Sequence, residues 1–210
     1  MEIELKLEEE KDYKIVEELT REAFWNIYIP GADEHLLVRN LRKRKEFVQD
    51  LDFVAICDDE IVGNIVYAEA KIIGSEQEHV VLTFGPISVL PVYQNKGIGS
   101  KLIKHTIPLA KKMGYKAVII NGDPEYYGRF GFKESKQYNI TNKDGKYPAA
   151  LLVLELFPNA LKGIEGKFDV GTIYEFDKKD LEEFEKEFHQ KEKQITKTQE
   201  RFNELSAIYL

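Results

Sequence analysis

The chain has 210 residues, 43% of them hydrophobic and 32% charged, with a net charge of −7. That balance describes an ordinary globular protein with one sizeable core, and the length lies between one small domain and two. The negative charge disfavours nucleic acid as a partner, because a phosphate backbone calls for a basic face. An acidic body suits a cationic acceptor such as an amine, although the local field outweighs the net charge. The single cysteine, Cys57, excludes an intrachain disulfide, and inside the apolar run 53–57 it reads as a buried side chain. The N-terminal Met-Glu-Ile-Glu-Leu-Lys is acidic and alternating, unlike a secretory signal. No apolar run approaches the roughly 20 residues needed to span a bilayer. The expectation is a cytoplasmic protein with no membrane contact, in which the sequon Asn139-Ile140-Thr141 is coincidental.

In chain order, residues 2–7 alternate and read as an edge strand. Tyr13 to Trp25 carries Ile15, Val16, Leu19, Ala23 and Phe24 at helical spacing, and Tyr28-Ile29-Pro30-Gly31 breaks the helix. Asp33 is a candidate N-cap for a second helix, about Glu34 to Val48, with Leu36, Leu37, Leu41 and Phe47 inward. Asp52–Cys57, Ile61–Ile73 and Val80–Leu90 predict an antiparallel meander. A helix over Lys101–Met113 follows, its apolar stripe starting at Ile98; Pro108 predicts a kink or a shortening, and Gly114 a stop. Lys116–Ile120 reads as a buried strand parallel to Val80–Leu90, because a helix crosses between them. A short helix over Pro124–Phe130 and a closing strand over Ala149–Leu156 come next. Past Phe157, Gly163–Phe168 reads as loop and Val170–Phe176 as one more strand. Asp180 to about Leu205 reads as a charged helix with Leu181, Phe184 and Phe188 on one face. That helix either packs on the core, or meets another subunit, or lies solvated.

The most informative stretch is Gln94-Asn95-Lys96-Gly97-Ile98-Gly99-Ser100, which passes from a strand through a glycine turn into a helix. Glycine lets the backbone come close to a ligand, and the first helical N–H groups have no partner within the helix. The helix dipole adds partial positive charge there, so a phosphate or pyrophosphate is the natural guest. No stretch supplies the Gly-x-x-x-x-Gly-Lys-Ser/Thr of a P-loop. The dinucleotide pattern Gly-x-Gly-x-x-Gly fails at Leu102, and Val118-Ile119-Ile120 offers no acidic residue on a second strand. A third pattern, Gln/Arg-x-x-Gly-x-Gly/Ala, is matched fully by Gln94 to Gly99.

With that match the sequence resembles the GNAT superfamily of N-acetyltransferases. Ile87-Ser88-Val89-Leu90-Pro91 is similar to the end of that family's fourth strand, and Tyr127-Gly128-Arg129-Phe130-Gly131-Phe132 to its Tyr-x-x-x-Gly-Phe segment. The run 122–127 resembles one bacterial subgroup of uncertain substrate. The resemblance covers roughly residues 1–157, expected to be an acetyl-CoA-binding domain, with residues 158–210 as a C-terminal extension packed on the core or at an oligomer interface. It implies an α/β (α+β) fold: a mixed, mostly antiparallel central sheet flanked by helices, with a strand and helix in the extension.

The resemblance also implies roles. Backbone groups of Ile87, Ser88 and Val89 would pair with the pantetheine arm of acetyl-CoA, and the Ile87 N–H would polarise the acetyl carbonyl. Gly85-Pro86 would supply a bulge that splays this strand from its neighbour. Gln94, Asn95, Lys96, Gly97, Ile98, Gly99 and Ser100 would hold the pyrophosphate. Tyr127 would be the general acid, since a phenol of pKa about 10 stays protonated at neutral pH; Tyr126 is the alternative donor. The general base stays open among Glu69, Glu34 and His35, and Trp25, Tyr28 and Asp33 lie in the segment that walls the acceptor site in related folds. No metal-ligand spacing is present. The implied reaction is acetyl transfer from acetyl-CoA to a small-molecule or peptide amine by direct attack, without metal. A transferase of another acyl group and a non-catalytic CoA sensor are the competing readings, and a homodimer is compatible with the exposed elements.

Overall fold

The structure, a computed structural model, describes residues 1–200, 208 and 209. Strands β1 (Glu4–Leu7), β2 (Phe53–Cys57), β3 (Glu60–Ile73) and β4 (Glu78–Val89) pair antiparallel in that order. They are followed by β5 (Ala117–Asn121), β6 (Lys133–Glu134), β7 (Ile140–Thr141), β8 (Leu151–Glu155) and β9 (Gly166–Asp169). β5 runs parallel to β4, β8 pairs antiparallel with β5, and β6 lies outside β8. The sheet is therefore mixed and mostly antiparallel, and helices flank it as the sequence predicts. Among the described residues no helix is long and apolar enough to cross a membrane.

Helices α1 (Tyr13–Phe24) and α2 (Glu34–Leu41) cover one face and α3 (Ile98–Lys112) the other. Alternation along β3 builds both cores at once. Ile65 and Tyr67 point to α3, with Leu82, Phe84, Leu102 and Ile103, whereas Val66 and Ala68 join Val16, Leu19, Val38 and Leu41. Being buried on both faces, β3 is apolar along most of its length, broken by Asn64, Glu69 and Lys71. The buried Tyr67 hydroxyl is satisfied by Thr106 Oγ1 of α3 at 2.8 Å.

Several boundaries differ from the sequence reading. The second helix stops at Leu41 instead of near Val48. The chain is needed elsewhere: Phe47 bridges to Ala68, Val48 N–H donates to the Tyr67 carbonyl at 3.0 Å and Glu69 N–H to the Glu46 carbonyl at 2.8 Å. This segment fills the gap on the β3 edge between β2 and β9. The Asp33 side chain does not cap α2. α3 continues through Pro108 to Lys112, because Pro108 and Lys104 are exposed and water can serve the carbonyl that proline leaves unpaired. The short helix divides into α4 (Pro124–Tyr127) and a 3-10 turn over Gly128–Phe130.

The extension contains a strand, but at Gly166–Asp169 and not at Val170–Phe176, which forms a turn. Gly166 has φ +148°, and any side chain there would collide with the Ile73 carbonyl. The glycine that suggests loop is what lets β9 approach β3. A final helix, α5 (Lys178–Glu185), is shorter than predicted, and the part of that expectation beyond residue 200 lies outside the described residues. α5 docks on α1 and α2. Glu185 takes Arg21 Nε at 3.0 Å and Arg21 Nη2 at 2.9 Å, and its Oε1 lies 2.8 Å from His35 Nε2. Phe184 stacks on the His35 ring, centroids 5.0 Å apart, and Arg39 reaches Glu187 at 2.8 Å.

Arg21 is buried, so its charge depends on Glu185. Glu185→Ala leaves that guanidinium without its main counter-ion, an expected loss of about 3 kcal/mol in urea unfolding. An unchanged midpoint would show that α5 does not bear on the core.

Candidate active site

β4 and β5 share one ladder pair in register, Leu82 and Val118. Beyond it they part. On the other side β4 stays paired with β3, but the register slips between Ile65–Ile87 and Tyr67–Phe84, so three steps on β4 oppose two on β3. The bulge falls at Gly85-Pro86, with Gly85 at φ +150°. The sequence expectation of a bulge there agrees with this register.

Past the bulge, β4 offers an edge with no strand beside it among the described residues. Leu90 N–H donates to the Val62 carbonyl of β3 at 2.9 Å. Peptide groups alternate along a strand, so the N–H and C=O of Ser88 also face β3 and those of Ile87 and Val89 face the open cleft. The Val89 carbonyl accepts from Gln94 Nε2 at 3.0 Å. Ser88, read from sequence as part of the same set, is turned inward by this alternation. Its hydroxyl donates to Thr20 Oγ1 at 3.2 Å in a buried cluster with Asn64. Ser88 ties β4 to α1 and lies away from the cleft.

The cleft leads to the N-terminus of α3. Asn95 (φ +60°) and Gly97 (φ +83°) turn the chain, and nothing lies within 4 Å of where a Gly97 side chain would start. No side chain caps α3, and Lys101 is the first residue to donate back, to the Gly97 carbonyl at 2.9 Å. The N–H groups of Ile98, Gly99 and Ser100 therefore converge as donors at a positive helix end. Gln94 to Gly97 are exposed, and the Lys96 ammonium stands 5.1 Å from the Tyr93 ring centroid, over open surface.

α4 sets its two tyrosines differently. The Asp123 side chain caps α4 by accepting from Glu125 N–H at 2.9 Å. Tyr126 reaches over the start of α3: its hydroxyl lies 3.2 Å from where a Gly99 Cβ would stand. Tyr127 lies deeper, against Phe84, Phe132 and Tyr126 at centroid distances of 5.9, 5.8 and 4.8 Å. Its ring rests on Gly122, where a Cβ would overlap it. Burial, reinforced by the nearby Tyr28 and Tyr126 phenols, pushes the Tyr127 phenol well above its ordinary pKa. It holds its proton at neutral pH, as a proton donor must.

Of the three residues considered as a base, the structure separates two from this cleft. Glu69 bonds the Tyr115 hydroxyl at 2.7 Å and lines a depression of about 460 Å³ with His79 and Lys116. That is past the C-terminal end of α3, roughly 20 Å along the helix from the glycine turn. His35 is fully buried beneath α5, and burial holds its imidazole down at about 4. Glu34 is half-buried at the first turn of α2. Burial, and then the charge of Asp33, push its carboxyl up to about 7. Trp25 donates its indole N–H to the Glu192 carbonyl at 3.0 Å, which makes it a structural anchor for the extension.

Two features had no clear sequence signal. Gly122 is one, since nothing local demands glycine until the Tyr127 ring is placed upon it. The pull of the Asp123 charge on Tyr28, which helps to raise its phenol pKa from about 95 positions away, is the other. Among the described residues no group of three or more His, Cys, Asp or Glu could hold a metal ion.

Comparison with known proteins agrees with this geometry. The family model for the acetyltransferase (GNAT) domain matches residues 50–134. The uncharacterised N-acetyltransferase YhbS of Escherichia coli K12 is 27% identical over 134 residues, 63% of this chain and 78% of that protein. A second such protein of that organism, YjhQ, is 30% identical over 97 residues, 46% of this chain and 54% of that one. The crystal structure of Escherichia coli YhbS in complex with CoA superposes with a TM-score of 0.72 at 21% identity, covering 82% of this chain and 91% of that one. A Brucella melitensis GNAT acetyltransferase in complex with acetyl-CoA superposes with a TM-score of 0.66 at 26% identity, covering 83% and 99%. The match in sequence over the central strands and in fold over most of the chain supports a GNAT superfamily N-acetyltransferase, an acyltransferase.

Proposed function

We propose that the protein moves the acetyl group of acetyl-CoA to a primary amine by direct attack in a ternary complex. The observation that carries this reading is the open β4 edge after Gly85-Pro86, leading straight to the uncapped N-terminus of α3. A thioester arm with a pyrophosphate at its far end has that shape: an extended amide chain for the edge, an anion for the helix end. The related structures with CoA and acetyl-CoA support the same choice of donor.

On this reading Ile87 and Val89 offer their peptide groups to the pantetheine arm. The Ile87 N–H lies toward the acetyl carbonyl and stabilises the oxyanion as the amine adds. The amides from Gln94 to Ser100 hold the pyrophosphate. Tyr127 gives its phenolic proton to the departing thiolate, so the C–S bond breaks without releasing a free anion. Residues 1–157 form the acetyltransferase domain, and residues 158–210 are an extension that supplies β9 and α5 to it.

Calorimetry is expected to show micromolar binding of acetyl-CoA and CoA, with ATP and NAD much weaker; absence of binding by both CoA species would end this reading. Tyr127→Phe is expected to lower kcat about tenfold or more, with acetyl-CoA affinity little changed. Unchanged turnover would remove the role. Gly122→Ala is expected to displace the Tyr127 ring, costing about 1–3 kcal/mol of stability and lowering kcat in the same direction. A Gly122→Ala protein with wild-type melting and turnover would show that the ring's seat is not needed.

A further inference from the structure

The cleft has a seam where the β4 edge ends and α3 begins. A donor bound as above has to turn there, because its arm lies along the strand and its diphosphate meets the helix. The position that a Gly99 Cβ would occupy marks this seam. It lies 3.7 Å from Ile87 Cδ1, 3.9 Å from Val89 Cγ2 and 3.2 Å from the Tyr126 hydroxyl oxygen. Two residues of the edge, the first turn of α3 and one phenol of α4 therefore meet at a single point. Of these three atoms the Tyr126 oxygen is the nearest, and it alone comes from outside strand and edge.

Neighbouring positions on a helix point about 100° apart, so the two tyrosines of α4 divide. Tyr127 turns into the aromatic cluster with Phe84 and Phe132, and Tyr126 turns over the start of α3. The half-buried Tyr126 ring is held by its surroundings. Tyr127 packs against it at 4.8 Å between centroids, edge to face, and Phe130 at 5.7 Å. The exposed Arg129 lays its guanidinium on the same ring, 4.0 Å from the centroid. A fixed aromatic body thus carries a polar tip to the seam. Among the described residues no protein group hydrogen-bonds that hydroxyl.

We propose that Tyr126 is a donor-binding residue: its hydroxyl donates a hydrogen bond to the diphosphate of CoA where the molecule turns from the β4 edge onto α3. The assignment rests on the acetyl-transfer reading above and separates the roles of the two tyrosines. Tyr127 serves the sulfur and Tyr126 the phosphates, with Arg129 keeping the Tyr126 ring in place. The chemistry fits, since diphosphate oxygens only accept, and a hydroxyl beside the first N–H groups of α3 adds one more donor to the set. Glycine at position 99 has its reason at the same point, because a side chain there would press on the Tyr126 oxygen and fill the space the donor needs.

The test uses the full chain and Tyr126→Phe, which keeps the ring and its stacking and removes only the hydroxyl. Calorimetry is run with CoA and with dephospho-CoA, which retains the diphosphate and lacks the 3′-phosphate. Loss of one hydrogen bond to a charged group is expected to raise both Kd values about tenfold, by the same factor. A rise below about threefold for CoA overturns the assignment. So does a rise for CoA with dephospho-CoA unaffected, which would put the hydroxyl at the 3′-phosphate instead. Phosphorus-31 NMR of bound CoA gives a readout that general loosening would not single out. Tyr126→Phe is expected to move the diphosphate signals and to leave the 3′-phosphate signal in place; diphosphate signals identical in the two proteins overturn the assignment. The wild type keeps the two ideas apart. Absence of CoA binding by the wild type itself would sink the acetyl-transfer reading, whereas normal wild-type binding with an unaffected variant would sink Tyr126 alone.

Discussion

The molecule depends on a strand that cannot be paired on both sides. β4 is held by β3 along its length, yet its register with β5 is a single pair, and beyond that pair its register with β3 slips at Gly85-Pro86. A sheet edge with free N–H and C=O groups is costly to leave dry. In most folds such an edge is covered by protein. Here the strand on the far side has diverged and helix α3 starts just beyond, so the groups face a cleft. Site and fold are one feature: the same residues that spoil the sheet create the place where an extended ligand can complete it.

Around this opening the protein is tightly packed. Ser88, Thr20 and Asn64 lock β4 to α1 from behind. Tyr67 and Thr106 lock the sheet to α3 from the other face. Aromatic rings from Phe84, Tyr127, Phe130 and Phe132 fill the end of the splay, where two strands no longer support each other. Binding groups fixed in this way lose little entropy when a ligand arrives, which is what a donor-holding cleft needs.

Much of this was legible in the sequence, for reasons that can be named. The meander over 52–90 shows as long apolar runs because β3 is buried on both faces. The glycine turn and the Tyr127–Phe132 segment show because their chemistry requires particular residues at particular spacings. The misreadings have a common cause, which is that distant partners decide. The end of α2 is set by the gap on the β3 edge, and nothing near Leu41 announces that gap. β9 sits where the sequence suggests loop, because Gly166 is chosen for the Ile73 carbonyl almost a hundred positions earlier. The candidate site follows the same division. Its backbone half is local and readable. Its side-chain half joins Phe84, Gly99, Gly122, Tyr126 and Tyr127, which only the fold brings together.

Two distant stretches of the chain are fastened at Asn26. Asn26 stands in the left-handed region, and its side-chain oxygen accepts the N–H of Gly31 at 2.8 Å and that of Gln194 at 3.0 Å. Its amide donates to the Glu192 carbonyl, and its own carbonyl accepts from Thr196 and Gln199. One asparagine thus binds the turn between α1 and α2 to a stretch of chain some 170 residues later. Losing the Asn26 side chain would therefore release two stretches of chain at once, the turn before α2 and the segment after α5.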